Sequence, residues 1–162
     1  LDQCLAQAKT IFIREVGGRK EEPKMNDPSD LIRQQEHVSK ACQSAESVLG
    51  IFERRSPGDH RPAEAIATAR RWIHGSATSE DCRIAYAAAE AAAEMTLSAA
   101  ESNEANGGTN SALLAYAATY AAEAAAMAAK AASMPAHAAG YASYAAASAT
   151  NAAFEERRYL SK

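Results

Sequence analysis

SALLAYAATYAAEAAAMAAKAAS, residues Ser111–Ser133, is the stretch that decides the fold. Alanine has the highest intrinsic helix propensity and the smallest side chain compatible with a stable helix. The run holds neither glycine nor proline, and its only charges are Glu123 and Lys130. It therefore predicts a helix whose backbone lies unusually close to its neighbours. It also supplies few groups capable of covalent chemistry.

The same composition continues on both sides. About a quarter of the 162 residues are alanine, and most fall between Arg83 and Phe154. Upstream, Asn106-Gly107-Gly108 breaks the chain, and Thr109 or Asn110 can cap the helix that runs to about Ser133. Thr78 or Ser79 caps another helix, reaching about Asn103, with Glu80 and Asp81 suited to its positive end. Its predicted core stripe is Ala88, Ala92, Met95 and Ala99, with Glu90, Glu94, Glu101 and Glu104 on another side. Downstream, Pro135 opens a helix that ends near Arg158. Alanine seams bury little area each. Leu113, Leu114, Tyr116, Tyr120, Met127, Tyr141, Tyr144 and Phe154 are expected to supply large packing groups, each worth roughly 1.5–3 kcal/mol when buried.

The N-terminal half reads differently. Leu31, Gln35, Val38, Cys42, Ala45, Leu49 and Phe52 recur in steps of four and three, an amphipathic seam widened by Ile32 and Val48. Ser29 or Asp27 caps that helix, and Ser56-Pro57-Gly58 turns the chain. Asp59-His60-Arg61-Pro62 starts the next helix, with Ile66, Ala69 and Ile73 on one face and Trp72 beside it. Gly75 suits the left-handed residue that closes it. Leu1–Val16 reads as a short helix ended by Gly17-Gly18, and Arg19–Pro28 as a charged linker. No stretch alternates like a strand. The predicted architecture is all-α: a compact bundle of four long helices plus a short N-terminal helix, with a close-packed alanine-rich C-terminal half. Residues 1–28 form the N-terminal segment and linker, and residues 29–162 the helical domain.

Charge and composition narrow the function. A net charge of −3 argues against a dedicated nucleic-acid binder, which carries a basic field. Cys4, Cys42 and Cys82 lack metal-ligand spacing and fit small buried hydrophobes in a reducing, cytosolic compartment. No signal-peptide pattern and no charge-free run of about 20 apolar residues is present, so no membrane partner is expected. His37, His60, His74 and His137 form no H-E-x-x-H pattern, and the sequence has no nucleophile elbow or phosphate-binding glycine loop. No cofactor or resident metal is expected. A metal-dependent hydrolase would have to draw on Glu90, Glu94, Glu123 and His137. These carboxylates read more simply as a solvated acidic face, or as partners of Arg83 or Lys130. Arg70-Arg71-Trp72 mixes charge with aromatic surface and suits bracing between helices.

The run Phe52-Glu53-Arg54-Arg55-Ser56-Pro57-Gly58-Asp59-His60-Arg61-Pro62, continuing through Ala65-Ile66 and Arg70-Arg71-Trp72 to Gly75, resembles the Imm-five-like immunity proteins of bacterial polymorphic-toxin systems. Members carry a Phe-Glu helix end, then Asp-x-Arg-Pro, Ala-Ile, an arginine shortly before a tryptophan, and glycine, followed by an alanine-rich helical half. His137-Ala138-Ala139-Gly140, Tyr144-Ala145 and Glu155-Glu156-Arg157-Arg158 are similar to the family's tail. The resemblance spans about Asp30 to the C-terminus; the segment before it has no counterpart. It implies a cytosolic protein that binds and neutralises a cognate toxin without catalysis. Within it, Asp59, Arg61, Pro62, Arg70 and Trp72 are expected to serve structure.

Residues 84–153 carry five glutamates against one lysine. Such a surface would hasten capture of a basic toxin. Glu90, Glu94, Glu101 and Glu104 are the candidate partner-binding face. The rival reading is a scaffold that homo-oligomerises through exposed AxxxA seams.

Overall fold

The computed structural model describes residues 28–161. Five α-helices follow one another: α1 (Pro28–Arg55), α2 (Arg61–Ile73), α3 (Ser79–Ala105), α4 (Thr109–Ser133) and α5 (Ala138–Leu160). A 3-10 turn, Pro135–His137, leads into α5. The fold is all-α, with no strand among the described residues. Four helices are long, at 28, 27, 25 and 23 residues, and α2 has 13. The short helix expected at Leu1–Val16 and most of the linker lie outside the described residues.

The quoted alanine run forms α4, and α4 is the axis of the bundle. It packs against α1, α2, α3 and α5. Its alanines from Ala112 to Ala132 are buried, a burial on nearly all sides that a helix apolar all round requires. By length and composition α4 could cross a membrane, but most of it is covered by the other helices, as in the core helix of a globular bundle. Between Ala112 and Ala132, partial exposure is confined to Leu114 near the start and to Tyr116, Glu123, Met127 and Lys130 beyond, the last four spaced as one helical stripe.

Neighbouring helices wrap this axis in the order α5–α1–α2–α3. Along α1 the seam is buried from Val38 through Cys42, Ala45 and Val48 to Phe52. Leu31 and Ile32 stand exposed, N-terminal to the point where Gln35 Nε2 donates to the Ile73 carbonyl at 3.0 Å. Ile66 and Ala69 of α2 are buried, with Trp72 and Ile73 packed against the same core.

The rotation of α3 differs from the sequence expectation. Met95, predicted in the core stripe, is 63% exposed. Ala92 of that stripe is buried and Ala88 and Ala99 are half-buried, while Cys82, Ala89, Ala93, Thr96 and Ala100 also face inward. Closest approach to α4 selects the smallest side chains, and the longer Met95 is turned out. The Thr119 hydroxyl donates to Thr96 Oγ1 at 3.0 Å, joining α4 to α3 inside this interface. Phe154, expected as a packing group, is 57% exposed, with the Arg158 guanidinium over its ring.

Helix ends follow local chemistry. Thr78 caps α3 in a full capping box: its hydroxyl accepts from the Asp81 backbone N–H at 3.1 Å, and Asp81 accepts from the Thr78 N–H at 2.8 Å. Thr78→Ala is expected to cost about 1 kcal/mol in chemical denaturation. Gly75 (φ +72°) and Gly107 (φ +75°) close α2 and α3 in left-handed geometry. In both, the next residue's N–H reaches back five positions, Ser76 to Arg71 and Gly108 to Asn103. The expected side-chain cap of α4 is absent: Gly108 occupies the cap position, before Thr109 and Asn110.

Candidate functional site

At the α1–α2 corner, Pro62 is fully buried in the first turn of α2, where its missing N–H costs nothing. The Asp59 carboxylate accepts from the Arg61 backbone N–H at 3.1 Å and from its guanidinium at 2.9 and 2.7 Å. Arg61 also reaches the Met95 sulfur at 3.1 Å, tying the corner to α3. One helix length away, Arg70 donates two hydrogen bonds to Glu46 of α1, at 2.5 and 2.6 Å. All five residues of the Asp-x-Arg-Pro to Trp signature thus touch neighbouring helices or the corner itself.

Hydrogen bonding from Arg70 holds the Glu46 carboxyl below its ordinary range. Arg61 does the same to Asp59. These pairs stabilise the fold at neutral pH, and their contribution is lost as the pH falls below about 4, through the depressed folded values. Glu46 and Arg70 are about 40% exposed, so solvent screening limits the pair to about 0.5 kcal/mol. Glu46→Gln is expected to lower stability by that amount at pH 7 and to leave it unchanged at about pH 2. Urea midpoints at the two pH values read the difference.

On the opposite side of the bundle the described helices leave a gap. α3 and α5 both rest on α4 but scarcely touch each other. Between them runs a groove of about 240 Å³. α4 forms its floor with Thr119, Glu123, Ala126 and Met127. α3 forms one wall with Glu90, Ala93, Glu94 and Leu97, and Tyr144 of α5 stands on the other. Among the described residues, no lysine or arginine lines it.

The groove's charges are positioned by tyrosines. Lys130 Nζ lies 4.4 Å from the Tyr86 ring centroid and 5.3 Å from that of Tyr141. It donates to the Tyr86 hydroxyl at 3.0 Å, and that hydroxyl donates to Glu90. Burial, then the Glu90 carboxylate, pushes the Tyr86 hydroxyl well above the ordinary phenol range, so it remains a donor. Further along, Tyr116 donates to Glu104 at 2.7 Å and is pushed up to about 12, first by that hydrogen bond. Ser148 Oγ donates to Glu123 at 3.4 Å. Burial and the nearby Glu123 raise Tyr144.

Of the candidate face, Glu90 and Glu94 therefore meet Glu123 at the groove, while Glu101 and Glu104 lie beyond it toward the end of α3. All four are exposed, and none makes a salt bridge among the described residues. Arg83, a predicted partner for these acids, pairs with Glu80 instead. His137 sits in the 3-10 turn, away from the groove lining. No group of three or more His, Cys, Asp or Glu among the described residues could hold a metal ion. The carboxylates of the hydrolase reading are thus not assembled as a metal centre. Cys42 and Cys82 are buried free thiols, pushed up by burial to about 12 and about 11, and stay protonated. Cys4 lies outside the described residues.

Sequence reasoning missed Tyr86 and the groove role of Thr119, Met127 and Tyr144. The available signal was Lys130, the only cation in residues 84–153, since a half-buried ammonium on an alanine helix needs aromatic or acidic company.

The sequence matches the family described as "Imm-5 like putative immunity protein" over residues 30–159. No curated protein and no solved structure matches the chain. The matched region takes in all but the ends of the five-helix bundle, with both its corner and its groove, and the chain belongs to the Imm-5-like immunity protein family.

Proposed function

We propose that this protein binds a cognate protein toxin and neutralises it by occlusion, without catalysing a reaction, in a reducing cytosol. Family membership supports the class of function. The observation that carries the binding mode is the α3 face: Glu90, Glu94, Glu101 and Glu104 are exposed and have no salt-bridge partner among the described residues. Their field accelerates encounter with a basic partner and repels nucleic-acid phosphates. Two tyrosine hydroxyls hold Glu90 and Glu104 without cancelling their charge. The test is co-expression with any toxin-like protein that the neighbouring reading frames encode. Restored growth and a complex whose association slows as salt rises support the reading. Growth arrest without a complex overturns it.

Homo-oligomerisation is the second reading, and a specific surface favours it. Phe154 and Tyr159 are exposed near the end of α5, and Leu160 is 72% exposed. The α4 alanine seams cannot serve that purpose, because they are buried within the protomer. Solution mass separates a monomer from an oligomer.

A further inference from the structure

We propose that the first turn of α1 is a docking face for this chain's own N-terminal segment, Leu1–Val16. Such a contact is intramolecular and independent of toxin binding.

Leu31 stands one heptad before Val38, so both lie on the side of α1 that turns toward the core. Val38 is fully buried, whereas Leu31 is 48% exposed. The cause is where the neighbours end. Gln35, one turn after Leu31, donates to the carbonyl of Ile73, the last residue of α2. α1 therefore continues a full turn beyond α2, and Ile32 beside Leu31 is 58% exposed. Arg54 pairs with Glu156, and α1 packs along α5, so these two helices end together. The start of α1 thus lies at the end of the bundle where α4 hands over to α5. Met134, in that handover, is 42% exposed.

A polar group in the same turn also lacks a partner. The Gln34 side-chain oxygen is buried and accepts no hydrogen bond. A buried acceptor of this kind calls for a donor, and a chain laid over the turn brings N–H groups to it.

Attachment, reach and composition select the occupant. Residues 1–27 lead directly into Pro28, the first residue of α1. The stretch Arg19–Asp27 spans about 30 Å when extended, enough for the segment to fold back over Leu31 and Ile32. A tether this short holds the segment at an effective concentration on the order of millimolar, an advantage that a second copy lacks. Leu5, Ile11, Phe12 and Ile13 supply the apolar groups that such a face removes from water. The family match starts at residue 30 and leaves this segment without an assigned role.

Two measurements on the full chain test this. In the first, a nitroxide is coupled to Cys4, since Cys42 and Cys82 are buried thiols. NMR line broadening should concentrate at Leu31, Ile32, Ile73 and Met134, and should be lost in the Ile11→Ser/Phe12→Ser variant. In the second, amide hydrogen exchange at residues 31–35 should be about tenfold faster in that variant, with Ala125 unchanged. Leu160→Ser, altered at the other end of the bundle, should exchange like wild type at residues 31–35. Broadening that is uniform or centred elsewhere overturns the proposal, as does variant exchange at residues 31–35 within twofold of wild type. Nitroxide-bearing protein is also mixed with isotope-labelled protein that carries none. Broadening at the same residues in that mixture assigns the face to a second copy and likewise overturns the proposal. Where the double variant fails to fold, the wild-type broadening decides.

Discussion

Replacing Ala125 with phenylalanine is expected to destabilise the bundle by about 3 kcal/mol or more. Ala125 lies in the middle of α4 and is fully buried. The helices packed around α4 lie close because it carries methyl groups. An added ring has no room unless a whole helix shifts, and every shift separates other methyl contacts. The melting temperature should fall by roughly 6–12 °C. Ala87→Leu is the control: Ala87 is exposed on α3, and leucine there should stay within about 0.5 kcal/mol. An unchanged melting temperature for Ala125→Phe would mean that the interfaces are looser than the alanines imply.

Phe52→Ala produces the second large loss, about 3–5 kcal/mol. Phe52 heads the fully buried side chains ranked by volume. It ends the α1 seam, beside the turn where its carbonyl accepts the Ser56 N–H at 2.9 Å. Truncation leaves a cavity near the α1–α2 corner, which a close-packed interior fills only in part. The matching test is Phe154→Ala. That ring is mostly exposed, and its loss should cost about 0.5 kcal/mol or less. Denaturant midpoints of the two variants, measured together, separate the aromatic that holds the core from the one that faces solvent.

Those two phenylalanines also mark what sequence can and cannot convey. Phe52 ends a periodic apolar seam, and its burial follows from the period. Phe154 stands in an alanine background where every face is nearly alike, so no period shows which way it points. Met95 failed to declare its direction for the same reason. Helix ends were more legible. Thr78 with Asp81, the Ser56-Pro57-Gly58 turn, and Gly75 all act through neighbours within a few residues. The groove was the least legible part. It arises where two helices distant in sequence fail to meet, and only Glu90, Glu94 and Glu123 hinted at it. Their convergence depends on the rotation of α3, which an alanine-rich helix does not advertise.

The position of α4 at the axis has a consequence for biosynthesis. Translation delivers α1, α2 and α3 before the rod on which they all rest. Until Ser133 clears the ribosome, Val38, Ile51 and Phe52 lack the surface that hides them, and at about 5–20 residues per second that interval lasts seconds. The nascent chain thus passes through a vulnerable window, in which apolar emerging helices stand uncovered, and it ends when the late-arriving rod slots into place.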